Sequence, residues 1–121
     1  MDLRIPVLAL ILSMTGSLGA TDRISLRVSP AVAFAPANLI VRATVPANKD
    51  NRAIEIIADS DEFYRSSEIQ LDGEYAPRVS RFEFRSMPSG VYSVRAILKG
   101  SRGEAIASTQ QQVSVVSIDS R

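Results

Sequence analysis

The stretch RFEFRSMPSGVYSVRAILK, from Arg81 to Lys99, contains two runs in which apolar and polar residues alternate. In the first run Phe82 and Phe84 share one parity, and Pro88-Ser89-Gly90 then interrupts the pattern. In the second run the apolar parity is shared by Tyr92, Val94, Ala96 and Leu98. Alternation with a period of two is typical of strands with one buried face. The stretch therefore predicts two strands joined by a tight turn, with these apolar side chains in the core.

The same alternation recurs on both sides of this stretch. It predicts strands at residues 22–29, 37–45, 53–59, 63–71, 78–86, 91–99 and 105–116. Pro30 and Pro36 bracket a short extended piece, 31–34, which suits a sheet edge because proline cannot donate to a ladder. Seven main strands separated by turn residues within about 100 residues predict an all-β fold. We expect a seven-stranded β-sandwich made of two antiparallel sheets.

Residues 1–20 have the pattern of an export signal. Arg4 gives a weakly positive start, residues 5–14 (IPVLALILSM) are apolar, and small residues follow for cleavage before or after Ala20. The apolar run is too short to cross about 30 Å of hydrocarbon, so we expect no membrane span after signal cleavage. The expected product is an exported protein, periplasmic or secreted, with one domain at 21–117 and a disordered tail at 118–121.

Composition excludes several kinds of site. The 121 residues include neither cysteine nor histidine, which removes disulfides, thiolate metal sites and imidazole bases. The 14 basic and 13 acidic residues are interspersed without a basic tract, so we expect no nucleic-acid binding. No histidine is present to activate a serine, and the strand pattern predicts no pocket for paired carboxylates. The sequence therefore predicts that the chain is not an enzyme and needs no cofactor.

The strand order and spacing resemble those of immunoglobulin-like and fibronectin type III-like β-sandwiches of bacterial exported proteins. The turn Pro88-Ser89-Gly90, followed by Val91 and Tyr92, resembles the E–F corner of that family. The resemblance covers about residues 23–117 and implies that Tyr92 is the tyrosine corner. It implies no activity, because such sandwiches mainly bind or space other molecules.

The disulfide and tryptophan of antibody domains are missing from this sequence. By the resemblance, Val94 takes the position of one cysteine and Val41 or Ala43 that of the other. Ile54 or Ile56 takes the position of the core tryptophan. The chain is therefore not expected to be an antibody-type domain.

Two apolar residues fall on the polar parity of their strands. Ile57 and Ile97 point outward in the predicted phase, and in this fold their strands are neighbours. Val91 and the ring of Tyr64 extend the same surface. A contiguous apolar set outside a sheet marks a contact surface, so we expect an interaction face for a protein partner or for self-association here.

Asp59, Asp61 and Glu62, with Asp50, are the calcium candidates, since carboxylate oxygens suit that ion. The alternative is a solvated turn in which aspartate caps local backbone. The spacing lacks the twelve-residue loop pattern of strong calcium sites, so we expect no metal.

Five arginines occupy outward positions: Arg27, Arg42, Arg81, Arg85 and Arg95. They could form a surface for acidic polymers. Three glutamates, Glu55, Glu68 and Glu83, also face outward, so cross-strand ion pairs are the simpler expectation.

Two functions remain open after these observations. The first is an exported module for protein–protein interaction, or with a structural role in the cell envelope, acting through a sheet face or edge. The three glutamines 110–112 belong to this hypothesis, because an exposed edge strand can accept an added strand. The alternative is a module that binds carbohydrate or another envelope polymer.

Overall fold

Eight strands form within residues 24–117, the part of the chain that the computed structural model describes. They are β1 (Ser25–Ser29), β2 (Val32–Phe34), β3 (Ala37–Thr44), β4 (Ala53–Asp59), β5 (Tyr64–Gln70), β6 (Val79–Met87), β7 (Gly90–Lys99) and β8 (Ala105–Val116). A short 3₁₀ helix, Gly73–Tyr75, joins β5 to β6. In this described part no helix is long and apolar enough to cross a bilayer. The predicted signal peptide, 1–20, and the predicted tail, 118–121, lie outside it.

The strands form two sheets, one of three strands in the order β1-β3-β6 and one of five in the order β2-β8-β7-β4-β5. The prediction of an all-β fold with two sheets is confirmed. The prediction of seven antiparallel strands is wrong, because residues 32–34 form a strand that pairs parallel to β8. The chain leaves β1 at Pro30, crosses to the other sheet without reversing, and meets β8 running the same way.

The core lies between the inward faces of the two sheets. Tyr92, Val94, Phe84 and Val41 are each at most 1% exposed. Phe82 is half-buried and packs edge-on against Phe84, with ring centroids 4.8 Å apart. The alternation in β6 and β7 thus becomes one apolar face on each sheet.

A β-bulge changes the phase of β6 near its end. Ala37 pairs with Met87 but Leu39 pairs with Phe84, so the strand gains a residue opposite Asn38. The gained residue, Ser86, has a φ of 58°, and its N–H donates to Asn38 Oδ1 at 3.0 Å. The bulge turns Met87 inward, where it is fully buried.

A polar side chain closes each open side of the two-sheet stack. On one side the Gln111 amide donates to Val28 O at 3.0 Å and accepts from Val28 N–H at 2.9 Å, which joins β8 to the edge of β1. On the other side Arg65 of β5 donates through Nη1 to Arg85 O of β6 at 2.7 Å. Neither link is a backbone ladder, yet each joins one sheet to the other.

The turn between β6 and β7 is fixed by Tyr92. Its hydroxyl donates to Pro88 O at 2.7 Å, while its ring is fully buried and meets Phe63 edge-on at 6.3 Å. Burial raises the pKa of the Tyr92 hydroxyl, and a hydrogen bond from the Ser60 side chain opposes that rise.

Replacing Gln111 with Met should destabilise the fold by about 1–3 kcal/mol, because it leaves the part-buried N–H and C=O of Val28 without partners. Gln112→Met is the matched control, since Gln112 is exposed on the same strand, and it should change stability by less than about 0.5 kcal/mol. Urea unfolding of the three proteins measures the difference. Equal losses in the two variants would show that the link between the sheets contributes nothing.

Replacing Tyr92 with Phe should cost about 0.5–1.5 kcal/mol at neutral pH, the net value of one hydrogen bond. A tyrosine whose pKa is raised by folding contributes stability that is present below pH about 10 and lost as pH rises through the folded pKa. Stability of the parent should therefore fall more steeply above pH about 10 than that of Tyr92→Phe. Denaturant titrations across this range measure both slopes, with Tyr64→Phe as the control at an exposed tyrosine. Parallel slopes would contradict the prediction.

Candidate functional site

The structure places Ile57 and Ile97 on the outer face of the five-stranded sheet. Ile57 lies directly opposite Arg95 on one side and Ser66 on the other, and Ile97 lies opposite Glu55. Ile57 is nevertheless only 5% exposed, and Ile97 is half-buried. Strands flank both residues on each side, and each isoleucine lies opposite one long charged side chain, Arg95 or Glu55. The pair therefore does not provide the exposed contact face that its parity suggested.

The exposed apolar surface lies at the opposite end of the same sheet face. Val32 and Phe34 are each 65% exposed, Val91 is 61% and Val116 is 43% exposed. Val32 and Val91 flank Ser114 in one cross-strand row, and Phe34 lies opposite Val116 in the next. These four side chains form one surface, which we call the edge patch. Of the residues proposed from sequence, only Val91 belongs to it.

Tyr64 lies at the other edge of the sheet, on β5 opposite Asp59. Its side chain is 59% exposed. One strand, β4, separates Tyr64 from β7, whose Val91 is the nearest residue of the edge patch, and both β4 and β7 separate it from the patch residues of β8 and β2. The structure therefore does not bring Tyr64 together with the other apolar residues.

The backbone of β2 has one bonded side and one open side. Ser114 N–H donates to Ala31 O at 2.9 Å, and Ala35 N–H donates to Val116 O at 2.8 Å. Backbone groups of alternate residues point to the same side of a strand, so the N–H and C=O groups of Val32 and Phe34 point away from β8. Because β2 ends the five-stranded sheet, these four groups face the open edge.

Asp59, Asp61 and Glu62 are exposed around the turn that follows β4. Asp59 and Asp61 line a depression of about 260 Å³ whose wall includes Val91. Within residues 24–117 no three acidic side chains come together as a metal site. The three carboxylates instead give a negative border to the sheet face that carries the edge patch.

The ion pairs differ from those expected for the arginines. Glu55 and Glu68 both pair with Lys99, at 3.0 and 3.6 Å, and the hydrogen bond to Glu55 is the main cause of a raised Lys99 pKa. Glu83 pairs at 3.4 Å with Arg85 of its own strand. Cross-strand pairing thus uses a lysine, and within residues 24–117 Arg27, Arg42 and Arg81 form no ion pair.

Sequence reasoning missed three residues of the edge patch: Val32, Phe34 and Val116. A signal was present, because Val32 and Phe34 share one parity in an extended piece bounded by prolines. Their exposure could not be derived from that signal, since it depends on which strand lies beside them.

No protein-family model matches the sequence, and no curated protein matches it. Two solved structures are similar in fold, each at 17% sequence identity and a TM-score of 0.59. One is the superoxide reductase (neelaredoxin) of Ignicoccus hospitalis, matched over 82% of this chain and 85% of that one. The other is a family 76 glycoside hydrolase from a bovine Bacteroides thetaiotaomicron strain, matched over 76% of this chain and 20% of that one.

These comparisons correct two expectations from the sequence. The prediction that the chain is not an enzyme used its small two-sheet fold as an argument. The comparison overturns that argument, because a superoxide reductase has a similar fold over most of its length. The two structures named above are enzymes by name rather than immunoglobulin or fibronectin type III domains. At this level of identity the likeness concerns the fold alone, and this chain has an all-β fold with two sheets.

Proposed function

We propose that this chain is an immunoglobulin-like interaction module that binds an extended segment of a partner protein along the open edge of β2. One observation carries the proposal. Val32 and Phe34 point their backbone N–H and C=O groups to the open edge, and their side chains are each 65% exposed. A partner strand gains main-chain hydrogen bonds from such an edge and specificity from alternate side chains.

Two features support the immunoglobulin-like part of the proposal. The chain passes directly from β1 in the three-stranded sheet to β2 in the five-stranded sheet. Within the five-stranded sheet, β7 lies between β8 and β4. The Tyr92 hydroxyl bonds to the backbone four residues upstream, as the tyrosine corner of such domains does.

The flanking residues define what kind of segment fits the edge. Pro30 and Pro36 stand on either side of β2 and limit the added strand to a short one. Many edge strands are protected against aggregation because they are short or carry charged residues or proline. The strand β2 is short and lies between prolines, but it also exposes two large apolar side chains. The partner segment should therefore be short and extended, with apolar side chains on alternate positions.

Charge adds one further requirement. Asp59 and Asp61 border the same sheet face beyond Val91. A basic residue flanking the apolar positions of the partner segment would meet these carboxylates. The export signal expected in residues 1–20 supports a further proposal, that the partner is an envelope or secreted protein.

The test begins with selection of binding peptides from a displayed random library on the full chain, followed by affinity measurements with variants. Val32→Pro removes the N–H that faces the open edge and should weaken binding about tenfold, the effect of one lost hydrogen bond. Phe34→Ser should weaken it about tenfold or more, because an interface aromatic is lost. Tyr75→Ser is the matched control, since Tyr75 is 81% exposed away from the edge patch, and it should bind like the parent.

Amide hydrogen exchange then locates the bound peptide. Protection of the Val32 and Phe34 amides on binding supports strand addition. Protection confined to another edge, or equal binding by Val32→Pro and the parent, would overturn it. Concentration-dependent dimers that Phe34→Ser converts to monomers would instead identify the occupant as a second copy of the chain.

A further inference from the structure

Three arginines stand side by side on the outer face of the three-stranded sheet. Arg27 of β1 lies directly opposite Arg42 of β3, and Arg42 lies directly opposite Arg81 of β6. All three are exposed. We call this set the arginine row. It lies on the opposite side of the core from the edge patch.

The row is not neutralised within the described residues, 24–117. The three ion pairs there use Arg85 and Lys99 as their cations. Glu83 is the carboxylate two residues from Arg81 on β6, but it pairs with Arg85. Like charges directly opposite each other on neighbouring strands are destabilising. The chain thus keeps an unfavourable line of positive charge although its 14 basic and 13 acidic residues nearly balance.

The spacing of the row suits a ligand that carries several anionic groups. Neighbouring strands lie about 4.8 Å apart, so three strands set the guanidinium groups over about 10 Å. Val45 N–H donates to Arg78 O at 2.9 Å, so these two residues form a hydrogen-bonded pair of the antiparallel ladder. Hydrogen-bonded and non-hydrogen-bonded pairs alternate along such a ladder, which makes Arg42 and Arg81 a non-hydrogen-bonded pair. Side chains are closest in pairs of this type. Guanidinium groups bind carboxylate and other oxyanions through two parallel hydrogen bonds.

A depression of about 450 Å³ beside the row adds neutral hydrogen-bonding groups. Arg27 and Arg42 line it together with Ser25 and Thr44, which carry hydroxyl groups, and with the apolar residues Leu26 and Val79. A hydroxyl group both donates and accepts, so it can pair with the hydroxyls of a sugar. The site therefore combines guanidinium groups, which bind acidic groups of a ligand, with hydroxyls, which bind its alcohol groups.

Aromatic side chains are missing from the outward positions of β1, β3 and β6. Proteins that hold single-stranded nucleic acid stack its bases on aromatic rings. This face offers charge and hydroxyls but no stacking surface, which favours a polyanion without bases.

We propose that the arginine row binds an acidic polysaccharide, with the guanidinium groups on its acidic groups and Ser25 and Thr44 on its sugar hydroxyls. The polymer lies across the three strands, because the row runs in that direction. This site is independent of the β2 edge.

The test is titration of the full chain with polygalacturonate at low and high salt, with dextran as the neutral polymer. The row variant replaces Arg27, Arg42 and Arg81 with Gln. The control variant has the same net charge and replaces Arg52, Arg95 and Arg102 with Gln. We expect the row variant to bind about tenfold or more weakly, the loss expected from three exposed ion pairs, and the control to bind nearly as the parent does.

Thermal unfolding separates binding from folding. The row variant should melt at the same or a higher temperature than the parent, because three like charges have been removed from adjacent strands. A lower melting temperature would mean that the arginines serve the fold, and this result would overturn the proposal.

Three further results would also overturn it. They are no binding of polygalacturonate by the parent, equal losses in the row and control variants, and tighter binding of oligothymidylate or anionic phospholipid vesicles than of polygalacturonate. Dextran sulfate, titrated in parallel, distinguishes sulfated from carboxylated sugars as the preferred form within the proposed class.

Discussion

The amide of Gln111 makes the bonds on which the arrangement of the first two strands depends. Its oxygen and nitrogen take up the N–H and C=O of Val28, at 2.9 and 3.0 Å, in the way a neighbouring strand would. The edge of β1 is thereby closed by a side chain of the other sheet. A part-buried backbone edge without partners is costly, and none of the strands within residues 24–117 pairs with that edge. One glutamine of three consecutive ones thus ties the two sheets together.

The open edge of β2 follows from the closure of the β1 edge by Gln111. With its outer edge already bonded to Gln111, β1 cannot be extended as part of a wider sheet, and the chain leaves it at Pro30. It then pairs with β8 for three residues before Pro36 and β3. On the other side of the stack Arg65 bonds to Arg85 O. The edge strand there, β5, exposes a single large apolar side chain, Tyr64. Within residues 24–117 the short strand β2 therefore combines an open backbone edge with exposed apolar side chains.

The sequence predicted which face of each strand points inward, because alternation is a local property. The core positions of Tyr92, Val94 and Phe84 follow from parity alone, and the limits of most strands were placed within one or two residues. Which residues lie beside each other on neighbouring strands is not a local property. Ile57 has the outward parity that was predicted for it, yet its flanking strands leave it 5% exposed. Arg27, Arg42 and Arg81 were predicted to face outward, but only the register of three strands shows that they meet.

The near-balance of charge in the composition conceals a separation of charge between the two faces. The arginine row lies outside one sheet, while Asp59, Asp61 and Glu62 border the outer face of the other. Oppositely charged ligands are therefore attracted to opposite sides of the molecule. The core between the sheets is tightly buried, so a ligand on one face touches no residue of the other, and coupling between them requires a change in the core itself. The two ligands that we propose, a protein segment on β2 and an acidic polymer on the arginine row, would therefore not compete, because the thickness of two sheets holds them apart.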